Sequence, residues 1–555
     1  MPATLLGITD RYIDYIADEH PVSATFLGLH SKDGSLGNMS AEAIAGRRER
    51  LAAMLSSLEG TPEAQPTRED AVDREILRIV LEGSIFSHDV LRGHELNPCE
   101  YVALALSGCN QLLLRDFAPL ERRARNFVSR LEGIPEILTD CRRNVSEPPA
   151  VFAAIGAAYA RGGLSFIDGT VPHICAEFPE LESDLTVAAS AAGEALEETR
   201  RWLTAASEAS DAPFHIGREA YEWMLRRVHL LDLDSEELLE IGMRSLEDTR
   251  GAMEKIASDM GGERDWRDLV DDLRGRHPEA CELRDFYADE MRRARDFVRR
   301  RGLVTMPAKE GLSVVDTPVF LRSLLPYAAY GPPGPFERRQ QGFFYVTPVD
   351  ADAPADEQDR QLRGHAKGSI RIIALHEGYP GHHVQLVRAN SISNNTRKLA
   401  RSNLFIEGWA LYCEEMMRDE GFFGGPAMLL TQLAAVLWRA ARVVVDVRLQ
   451  RGEMTLNEAA GFMVEEAHLT RDKATAEVRR YAMNPTQPSS YLLGKRAILD
   501  IRRLYEDRVG DSFDLREFHD ALLDLGSIPP ALVKVAFGLD DGGAAGSAND
   551  LEEAS

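Results

Sequence analysis

Apolar side chains recur at helical spacing along most of the chain. The clearest example begins at Asp234, which has Glu237 three residues further on as a capping-box partner. Its apolar positions, separated by three, four or seven residues, are Leu239, Met243, Leu246, Met253, Ile256 and Met260. The pattern ends at Gly261-Gly262, a pair that typically terminates a helix. The sequence therefore predicts one long amphipathic helix between Asp234 and Gly261.

Similar patterns predict that most of the remaining chain is helical. The further predicted helices lie at about 40–59, 69–92, 118–140, 186–208, 215–229, 283–301, 429–450, 456–469, 472–482 and 490–508. Two short β-branched or aromatic runs between Gly and Pro residues, at 311–316 and 342–348, predict strands. Such strands could pair at an exposed edge with an extended substrate, or they could only cover the core.

The expected fold is therefore mainly α: a large helical, two-lobed body with a small β ribbon beside the active-site cleft. We predict an N-terminal helical lobe at 1–301 and a second helical part, which carries the chemistry, at 302–539. The acidic segment 540–555 is rich in small and polar residues, and we expect it to be disordered.

The charge balance narrows the possible partners. The 555 residues include 64 Lys and Arg against 89 Asp and Glu, a formal net charge of −25. Such a chain repels phosphate unless it builds a local basic face, so we expect neither nucleic acid nor a membrane surface as a partner. The apolar run at 429–437 is also short for a membrane span.

The cysteines and the N-terminus suggest a location. The six cysteines include no C-x-x-C pair, which excludes zinc ribbons and a disulfide scaffold. The first twenty residues have neither a basic start nor a long apolar core, so they do not resemble a secretory signal. On these grounds we predict a cytoplasmic protein.

Three histidines and a glutamate fall within eight residues, in the segment His376-Glu377-Gly378-Tyr379-Pro380-Gly381-His382-His383. In an unbroken helix of about 100° per residue, His382 would point away from His376. His383 would return to the same face about 10 Å further along. A proline between two glycines argues against an unbroken helix, because proline lacks an N–H and clashes with the preceding turn. A kink or bulge could therefore bring one of the later histidines beside His376.

A third ligand is expected from the segment 400–421. Read as a helix, this segment places Glu407 within its apolar stripe, and a carboxylate that points into a core is costly unless it is paired or bound to a metal. A buried salt bridge to Arg439 or Arg442 is the alternative. Glu414, two turns further on, is a candidate for supporting such a site.

These residues resemble a bacterial family catalogued as domain of unknown function 885. The resemblance rests on H-E-x-x-P-G-H-H at 376–383 and on E-G-W-A-L-Y at 407–412, and it covers about residues 10–536. The family in turn resembles the helical zinc peptidases that include the oligopeptidases and the angiotensin-converting-type dipeptidases. In those enzymes a metal-binding Glu follows the second His by about 25 residues.

The resemblance implies one zinc ion bound by His376, His382 and Glu407. The spacing from 382 to 407 is 25 and that from 383 is 24, so it does not separate the two histidines, and His383 remains the alternative second ligand. If His383 does not bind metal, we expect it to form a supporting hydrogen bond or to contact substrate. Glu377 is then the general base that activates water.

Three further residues are candidates for contacts with substrate. The related peptidases place a C-terminal tyrosine over the metal, which implies Tyr491 as the group that stabilises the oxyanion; an ordinary packed tyrosine is the alternative. Arg480 and Lys495 could hold a substrate carboxylate, or they could be simple neighbours of acidic groups.

The sequence therefore predicts a zinc-dependent hydrolase, a metallopeptidase or amidase, that cleaves a peptide or related amide bond. One alternative is an amidase or tailoring hydrolase that acts on a specialised small molecule. Another is a helical binding protein that retains the fold without catalysis. The expected partner is a small peptide or an amide-containing small molecule.

Overall fold

The computed structural model describes residues 4–61, 67–260, 264–317, 322 and 327–539. The predicted helix end at Gly261-Gly262 and the acidic segment 540–555 lie outside the described residues.

The helices of the first half are α1 (Leu5–Glu19), α2 (Pro21–Leu27), α3 (Ala41–Glu59), α4 (Arg68–Phe86), α5 (Gly93–Leu96), α6 (Pro98–Leu114), α7 (Leu120–Asn144), α8 (Ala150–Glu177), α9 (Glu182–Ala209), α10 (Arg218–Arg227), α11 (Ser235–Asp259), α12 (Trp266–Arg274) and α13 (Leu283–Arg301).

The second half begins with a small sheet and continues with helices. Its strands are β1 (Gly311–Asp316), β2 (Ala328–Gly331) and β3 (Gln341–Val346). Its helices are α14 (Ala355–Arg363), α15 (Lys367–Ile373), α16 (His382–Asn390), α17 (Asn395–Leu399), α18 (Asn403–Asp419), α19 (Pro426–Gln450), α20 (Leu456–Ala467), α21 (Arg471–Met483), α22 (Ser490–Val509), α23 (Leu515–Leu523) and α24 (Pro530–Phe537). The prediction of a mainly α fold with a small β element is confirmed.

The long helix α11 shows how well the apolar pattern works. Asp234 caps its N-terminus and forms the predicted capping box with Glu237. The buried face is rotated slightly from the predicted one, because Leu238 and Gly242 are buried, whereas Met243 is 43% exposed. Gly242 packs against α19, where a Cβ at this position would lie 3.0 Å from the side chain of Val443. A small residue in the stripe therefore allows the two helices to approach closely.

The three strands form one mixed sheet in the order β1-β3-β2. β3 pairs in parallel with β1 and antiparallel with β2. Two of the strands coincide with the predicted runs; β2 is an addition that the sequence did not reveal, since it is only four residues long. The central strand β3 is the most buried, with Phe344, Tyr345 and Val346 facing the core.

Three large hydrophobic cores hold the helices together. One fills the bundle of α6, α7, α8 and α9. A second joins α11 and α12 to α19, α20 and α21. The third surrounds the histidine segment and includes residues on both sides of position 302, such as Ile76 and Tyr287 with Leu375 and Trp409. The division into two parts at residue 302 stays a prediction.

Two helices, α8 and α19, are long and apolar enough to cross a membrane by length and composition alone. The run at 429–437, which looked short in the sequence, is part of the second. About half of the most apolar window of each helix is buried inside the protein, 56% for α8 and 50% for α19, as is common for core helices of globular proteins.

Candidate metal centre

The histidine segment is a helix interrupted by a wide turn. α15 continues into one π-helical turn, Ala374–Gly378, in which Tyr379 N–H donates to the carbonyl of Ala374 at 3.1 Å. The chain then bends through Pro380 and Gly381 and starts α16 at His382. No side chain fits at Gly381, since a Cβ there would lie 1.9 Å from the carbonyl oxygen of His376. The bend predicted from Pro380 and its flanking glycines is thus present.

This bend brings His376 and His382 together. Their ring centroids are 4.7 Å apart and the ring planes are nearly perpendicular, at 87°. Both side chains are buried, whereas Glu377 is only half-buried. Potential ligand atoms of His376, Glu377 and His382 all lie within 4.8 Å of one another, so this group could hold a metal ion.

Glu407 approaches the two imidazoles from α18. Its Oε2 lies 3.4 Å from Nε2 of His382 and 3.7 Å from Nε2 of His376. The side chain is 15% exposed, in agreement with its expected place in the apolar stripe of the helix. Among the described residues, Arg439 pairs with Glu414 and Arg442 pairs with Glu477, so the alternative of a buried salt bridge from Glu407 to either arginine is not realised in the described structure.

A second carboxylate orients His376 from behind. Glu414, fully buried two turns along α18 from Glu407, lies 2.8 Å from Nδ1 of His376. Because Nδ1 is engaged in this way, the free Nε2 atom faces Glu407. A carboxylate behind an imidazole fixes the tautomer and the orientation of the ring, which is a common arrangement behind metal-binding histidines.

The electrostatics of this cluster favour positive charge. Burial alone lowers the pKa of His376, but the carboxylates of Glu407 and Glu414 outweigh that effect and raise it to about 9. Burial raises the pKa of Glu407, yet the nearby imidazoles of His376 and His382 outweigh that effect and bring it well below its usual range. Three carboxylates around two imidazoles create a negative potential that a divalent cation would balance.

His383 faces a different environment. Its Nδ1 lies 2.9 Å from the hydroxyl of Tyr330 in β2, and its Nε2 lies 3.1 Å from Oε2 of Glu310. The hydroxyl of Tyr379 donates to the same Glu310 oxygen at 2.7 Å, and Arg295 pairs with the other oxygen. Of the two candidate second histidines, the structure thus brings His382 beside His376 and directs His383 towards the sheet.

Tyr491 lies over the cluster from α22. Its ring is stacked 6.2 Å from that of His376, with an interplanar angle of 17°. The Gln487 amide donates weakly to Glu407 at 3.4 Å and to the Tyr491 hydroxyl at 3.5 Å. Burial and the charge of Glu407 raise the pKa of Tyr491, and the Arg442 guanidinium, 4.5 Å from the ring centroid, opposes this. The hydroxyl is therefore protonated at neutral pH and can donate a hydrogen bond.

The contact between α18 and α22 explains how Tyr491 comes so close. Gly408 and Gly494 touch at the helix crossing, where a Cβ on Gly494 would lie 1.8 Å from the carbonyl oxygen of Leu404. Only glycines allow this separation of the two backbones. Glu407 and Tyr491, one and three residues from these glycines, are consequently held on either side of the same crossing.

Comparison with known proteins assigns the chain to a family. A model for bacterial proteins of unknown function (DUF885) matches residues 21–536. The chain belongs to this family. No protein from a search of curated proteins matches it.

Two solved structures share the fold over nearly the whole chain. One is a candidate lipoprotein of unknown function from Shewanella oneidensis, with 24% identity, a TM-score of 0.79 and coverage of 96% of this chain and 100% of that one. The other is a candidate lipoprotein from Colwellia psychrerythraea, with 19% identity, a TM-score of 0.82 and coverage of 97% and 100%. A third structure, an M32 carboxypeptidase from Deinococcus radiodurans R1, has 10% identity and a TM-score of 0.44, with coverage of 96% and 94%.

The predicted cytoplasmic location is contradicted by these comparisons. The two proteins that share the fold over their full length are described as candidate lipoproteins rather than as cytoplasmic proteins. The sequence argument was insufficient because scattered cysteines show only that the fold does not depend on disulfides. A protein without disulfides is equally compatible with an oxidising compartment.

The remaining two candidates lie at different distances from the cluster. Arg480 donates to Gln487 at 3.0 Å and to Glu477 at 2.8 Å, so it reaches the candidate metal centre through the Gln487 amide. Lys495 forms an ion pair with Glu415 on α18. Their proposed role in binding a substrate carboxylate stays a prediction for both.

Several residues of this site could not be found from the sequence. Glu310 and Tyr330 bind His383 but lie 73 and 53 positions before it, and neither belongs to a recognisable motif. Gln487 lies in the proline-punctuated turn before α22, so its position near Tyr491 gave a partial signal. Arg442 lies two turns before the end of α19, a helix that is apolar on most sides. This position indicates a buried cation, but it does not show which residues Arg442 contacts.

Proposed function

We propose that this protein is a metal-dependent hydrolase that cleaves a peptide or a related amide bond. The single observation that supports this proposal is the convergence of His376, His382 and Glu407, with Glu414 behind the first of them. Two imidazoles and a carboxylate are a common ligand set of catalytic zinc, which leaves one position open for water or substrate.

The separations within this group are suitable for zinc. Ligand atoms about 2.0–2.2 Å from a tetrahedral ion lie ~3.4 Å from one another. The distances from Glu407 Oε2 to the two Nε2 atoms, 3.4 and 3.7 Å, are close to that value. The same Oε2 atom is buried and accepts no hydrogen bond from the described residues. A buried carboxylate oxygen without a donor is costly, and a bound cation would remove that cost.

Glu377 is the proposed general base. It adjoins the ligand group, is half-buried and forms no hydrogen bond or ion pair with any described residue, so its carboxylate is free to meet water. A zinc ion held by His376, His382 and Glu407 would act as a Lewis acid and make a water molecule more acidic. Glu377 would accept the proton from that water and deliver it to the leaving nitrogen as the amide breaks.

Tyr491 is the proposed donor to the oxyanion. Its hydroxyl is protonated at neutral pH and lies on the same side of the cluster as Gln487, facing the ligand residues. A donor that is already oriented before the reaction stabilises the charge that develops on the carbonyl oxygen.

A large cavity near the start of α18 is the proposed place for part of the substrate, although none of the proposed ligand residues lines it. Its volume is about 790 Å³ and its walls include the aromatic side chains of Tyr12, Tyr15 and Phe86. Asn403 also lines the cavity and lies one helical turn before Glu407 on α18. A peptide or an amide of similar size could therefore extend from this cavity towards the ligand residues.

Metal analysis with a peptide screen tests the proposal. We expect about one zinc ion per chain in the purified protein by elemental analysis, and cleavage of some members of a mixture of short peptides and amides detected by mass spectrometry. Glu377→Gln should keep the metal and lose about 100- to 10,000-fold in turnover, because it removes the base alone. Glu465→Gln, at an exposed position of α20, is the matched control.

The outcomes separate the candidate functions. A folded protein that binds no divalent metal would support a non-catalytic binding protein and would end the proposal. Unchanged turnover in Glu377→Gln would exclude this residue as the base. Cleavage of small amides without cleavage of peptides would instead favour the tailoring hydrolase.

A further inference from the structure

A second cavity lies between α12, α15, α19 and α21. Its volume is about 380 Å³. Seven of the side chains that line it are Lys or Arg, and none is Asp or Glu. This composition is the reverse of that of the whole chain, in which acidic residues outnumber basic ones by 89 to 64. We call this cavity the basic pocket.

Four of the seven cations have carboxylate partners that lie outside the lining. They are Arg274 with Asp271 at 3.0 Å, Arg363 with Asp359 at 2.8 Å, Arg371 with Glu290 at 2.9 Å and Arg439 with Glu414 at 3.7 Å. These partners hold the arginines in place from behind. The cavity itself is therefore bordered by guanidinium groups without an opposing charge inside it.

The other three cations are Arg276, Lys367 and Lys473, and they form no ion pair with any residue in the described part of the chain. Lys473 lies over the ring of Trp438, with Nζ 4.2 Å from its centroid. Like charges that face one recess repel one another, and low-dielectric walls concentrate their field on the space between them. An anion in the basic pocket would remove this repulsion.

The walls between the cations are apolar. Ile372, Met428, Trp438 and Leu469 line the basic pocket. A carboxylate carried on an aliphatic stem can use both kinds of surface, because the stem covers the apolar wall while the charge meets the cations. A fully hydrated inorganic anion gains nothing from the apolar part.

The basic pocket adjoins the candidate metal centre along one helix face. Ser369, Ile372 and Ile373 line the pocket, and His376 and Glu377 follow one turn after the last two. Four residues of helix advance by about 6 Å. A ligand that fills the basic pocket would therefore lie within one to two helical turns of the ligand residues.

Arg439 connects the two places directly. Its side chain lines the basic pocket, and its Nη2 atom lies 3.7 Å from Glu414, which contacts His376. Its guanidinium is also 5.9 Å from the ring centroid of Tyr491. Its Nε atom is buried and has no hydrogen-bond partner among the described residues, so the group retains a donor.

We propose that the basic pocket binds a carboxylate of the substrate, which makes the substrates of this hydrolase peptides or amides with an acidic side chain or terminus. This assignment rests on the proposed function for the substrate itself, but anion binding by the basic pocket does not depend on catalysis. Arg480 and Lys495, for which the same role stays a prediction, lie outside this lining.

Direct titration tests the proposal independently of turnover. The probes are N-acetylglutamate, its neutral diamide and inorganic phosphate, added to the purified metal-containing protein and followed by calorimetry and by tryptophan fluorescence, since Trp438 lines the pocket. We expect N-acetylglutamate to bind at least about tenfold more tightly than the diamide or phosphate, because one well-placed charge-assisted hydrogen bond contributes about that factor.

Variants locate the binding. Arg276→Gln with Lys367→Gln removes two exposed cations of the lining and should weaken N-acetylglutamate at least about tenfold. Arg244→Gln with Lys255→Gln removes two exposed cations of α11 and should leave the affinity unchanged. Lys473→Gln alone provides a second test should the double variant unfold. For peptides found in the screen, the double variant should raise KM for acidic substrates with kcat unchanged.

The results distinguish this inference from the proposed function. Equal affinity for N-acetylglutamate in the double variant and in the original protein would show that the basic pocket does not bind the carboxylate. This conclusion would hold whether or not the protein is a hydrolase. Phosphate binding as tight as that of the carboxylate would overturn the assigned ligand class. If carboxylate binding depends on Arg276 and Lys367 but the protein has no hydrolytic activity, the assignment of the basic pocket holds and the proposed function is wrong.

Discussion

His382 and His383 are consecutive and both buried, yet their surroundings differ. Both ring nitrogens of His383 are engaged, by Tyr330 at 2.9 Å and by Glu310 at 3.1 Å. At His382, Nδ1 has no hydrogen-bond partner among the described residues, and Nε2 faces Glu407 at 3.4 Å. A complete set of partners fixes a side chain in a supporting role, whereas an incomplete set leaves a lone pair for a ligand.

The difference arises from the backbone rather than from the residue type. Adjacent residues of a helix point about 100° apart, so the two imidazoles cannot face the same place. The π-helical turn and the bend at Gly381 decide which of them returns towards His376. Of the two consecutive histidines in this segment, one is therefore a candidate metal ligand and the other is an anchor to the sheet.

Replacing each histidine by alanine should give the largest contrast. His382→Ala removes a proposed ligand, and we expect zinc affinity to fall by more than about 100-fold, beyond the 10- to 100-fold that supporting residues usually contribute. His383→Ala should keep stoichiometric zinc but lower the free energy of unfolding by about 1–3 kcal/mol, because Glu310 and Tyr330 lose a buried partner. Elemental analysis after dialysis and thermal unfolding measure the two effects. The reverse pattern, with metal lost only from His383→Ala, would exchange the two roles.

Tyr491→Phe should affect rate alone. Removing one donor to an oxyanion commonly costs about 100- to 1,000-fold in kcat, and the phenyl ring keeps the stacking on His376. Metal content should be unchanged. Tyr505→Phe, in the aromatic cluster at the far end of α22, is the control. A rate equal to that of the original protein would leave Tyr491 as a packing residue of the site.

Much of the fold could be predicted from the contrast between apolar and polar positions. α11, α13 and α20 have one buried and one solvated face, and the sequence predicted all three. α8 was missed because it is apolar nearly all round and rich in Ala and Gly, so its periodicity carries no contrast. A buried helix is thus harder to recognise than an amphipathic one.

The candidate site was predictable only where its residues belong to local sequence patterns. His376, His382 and Glu407 lie in or beside local motifs. The apolar stripe indicated Glu407, and the resemblance to helical zinc peptidases implied the set, with His383 as the alternative second ligand. Tyr330 lies in β2 and Glu310 immediately precedes β1, and only the fold brings them to His383. Contacts between distant segments depend on packing that no local pattern encodes, which is why the different surroundings of His382 and His383 could not be predicted from the sequence.

Glu414→Gln tests the carboxylate behind His376. The amide oxygen can still accept from Nδ1, but without the charge the imidazole is a weaker ligand, so zinc affinity should fall about 10- to 100-fold. Glu415→Gln, the next residue on α18, pairs with Lys495 and should leave the affinity unchanged. Competition with a chelator measures both. Equal affinities in the two variants would remove Glu414 from the site.

The smallest expected effect concerns a histidine on α23 that, like His383, has a complete set of partners. His519 is fully buried, and its two nitrogens lie 2.7 Å from the carbonyl of Leu303 and 2.8 Å from the hydroxyl of Tyr412. Burial, reinforced by the nearby positive charge of Arg502, lowers its pKa from 6.5 to about 4. The unfolded chain therefore binds this proton more readily than the folded protein, so protonation favours unfolding. The stabilisation that a neutral His519 provides is complete above pH 6.5 and is lost as the pH falls towards about 4.

Between pH 6.5 and about 5.5 this single group should lower the free energy of unfolding by about 1 kcal/mol. Urea unfolding at several pH values measures the slope, which should be shallower in His519→Asn than in the original protein. His173→Asn, at an exposed position of α8, controls for the loss of an imidazole. An unchanged slope in His519→Asn would mean that the imidazole of His519 accepts a proton within the folded core. In that case a complete set of hydrogen bonds would not distinguish an anchoring histidine from a metal-binding one.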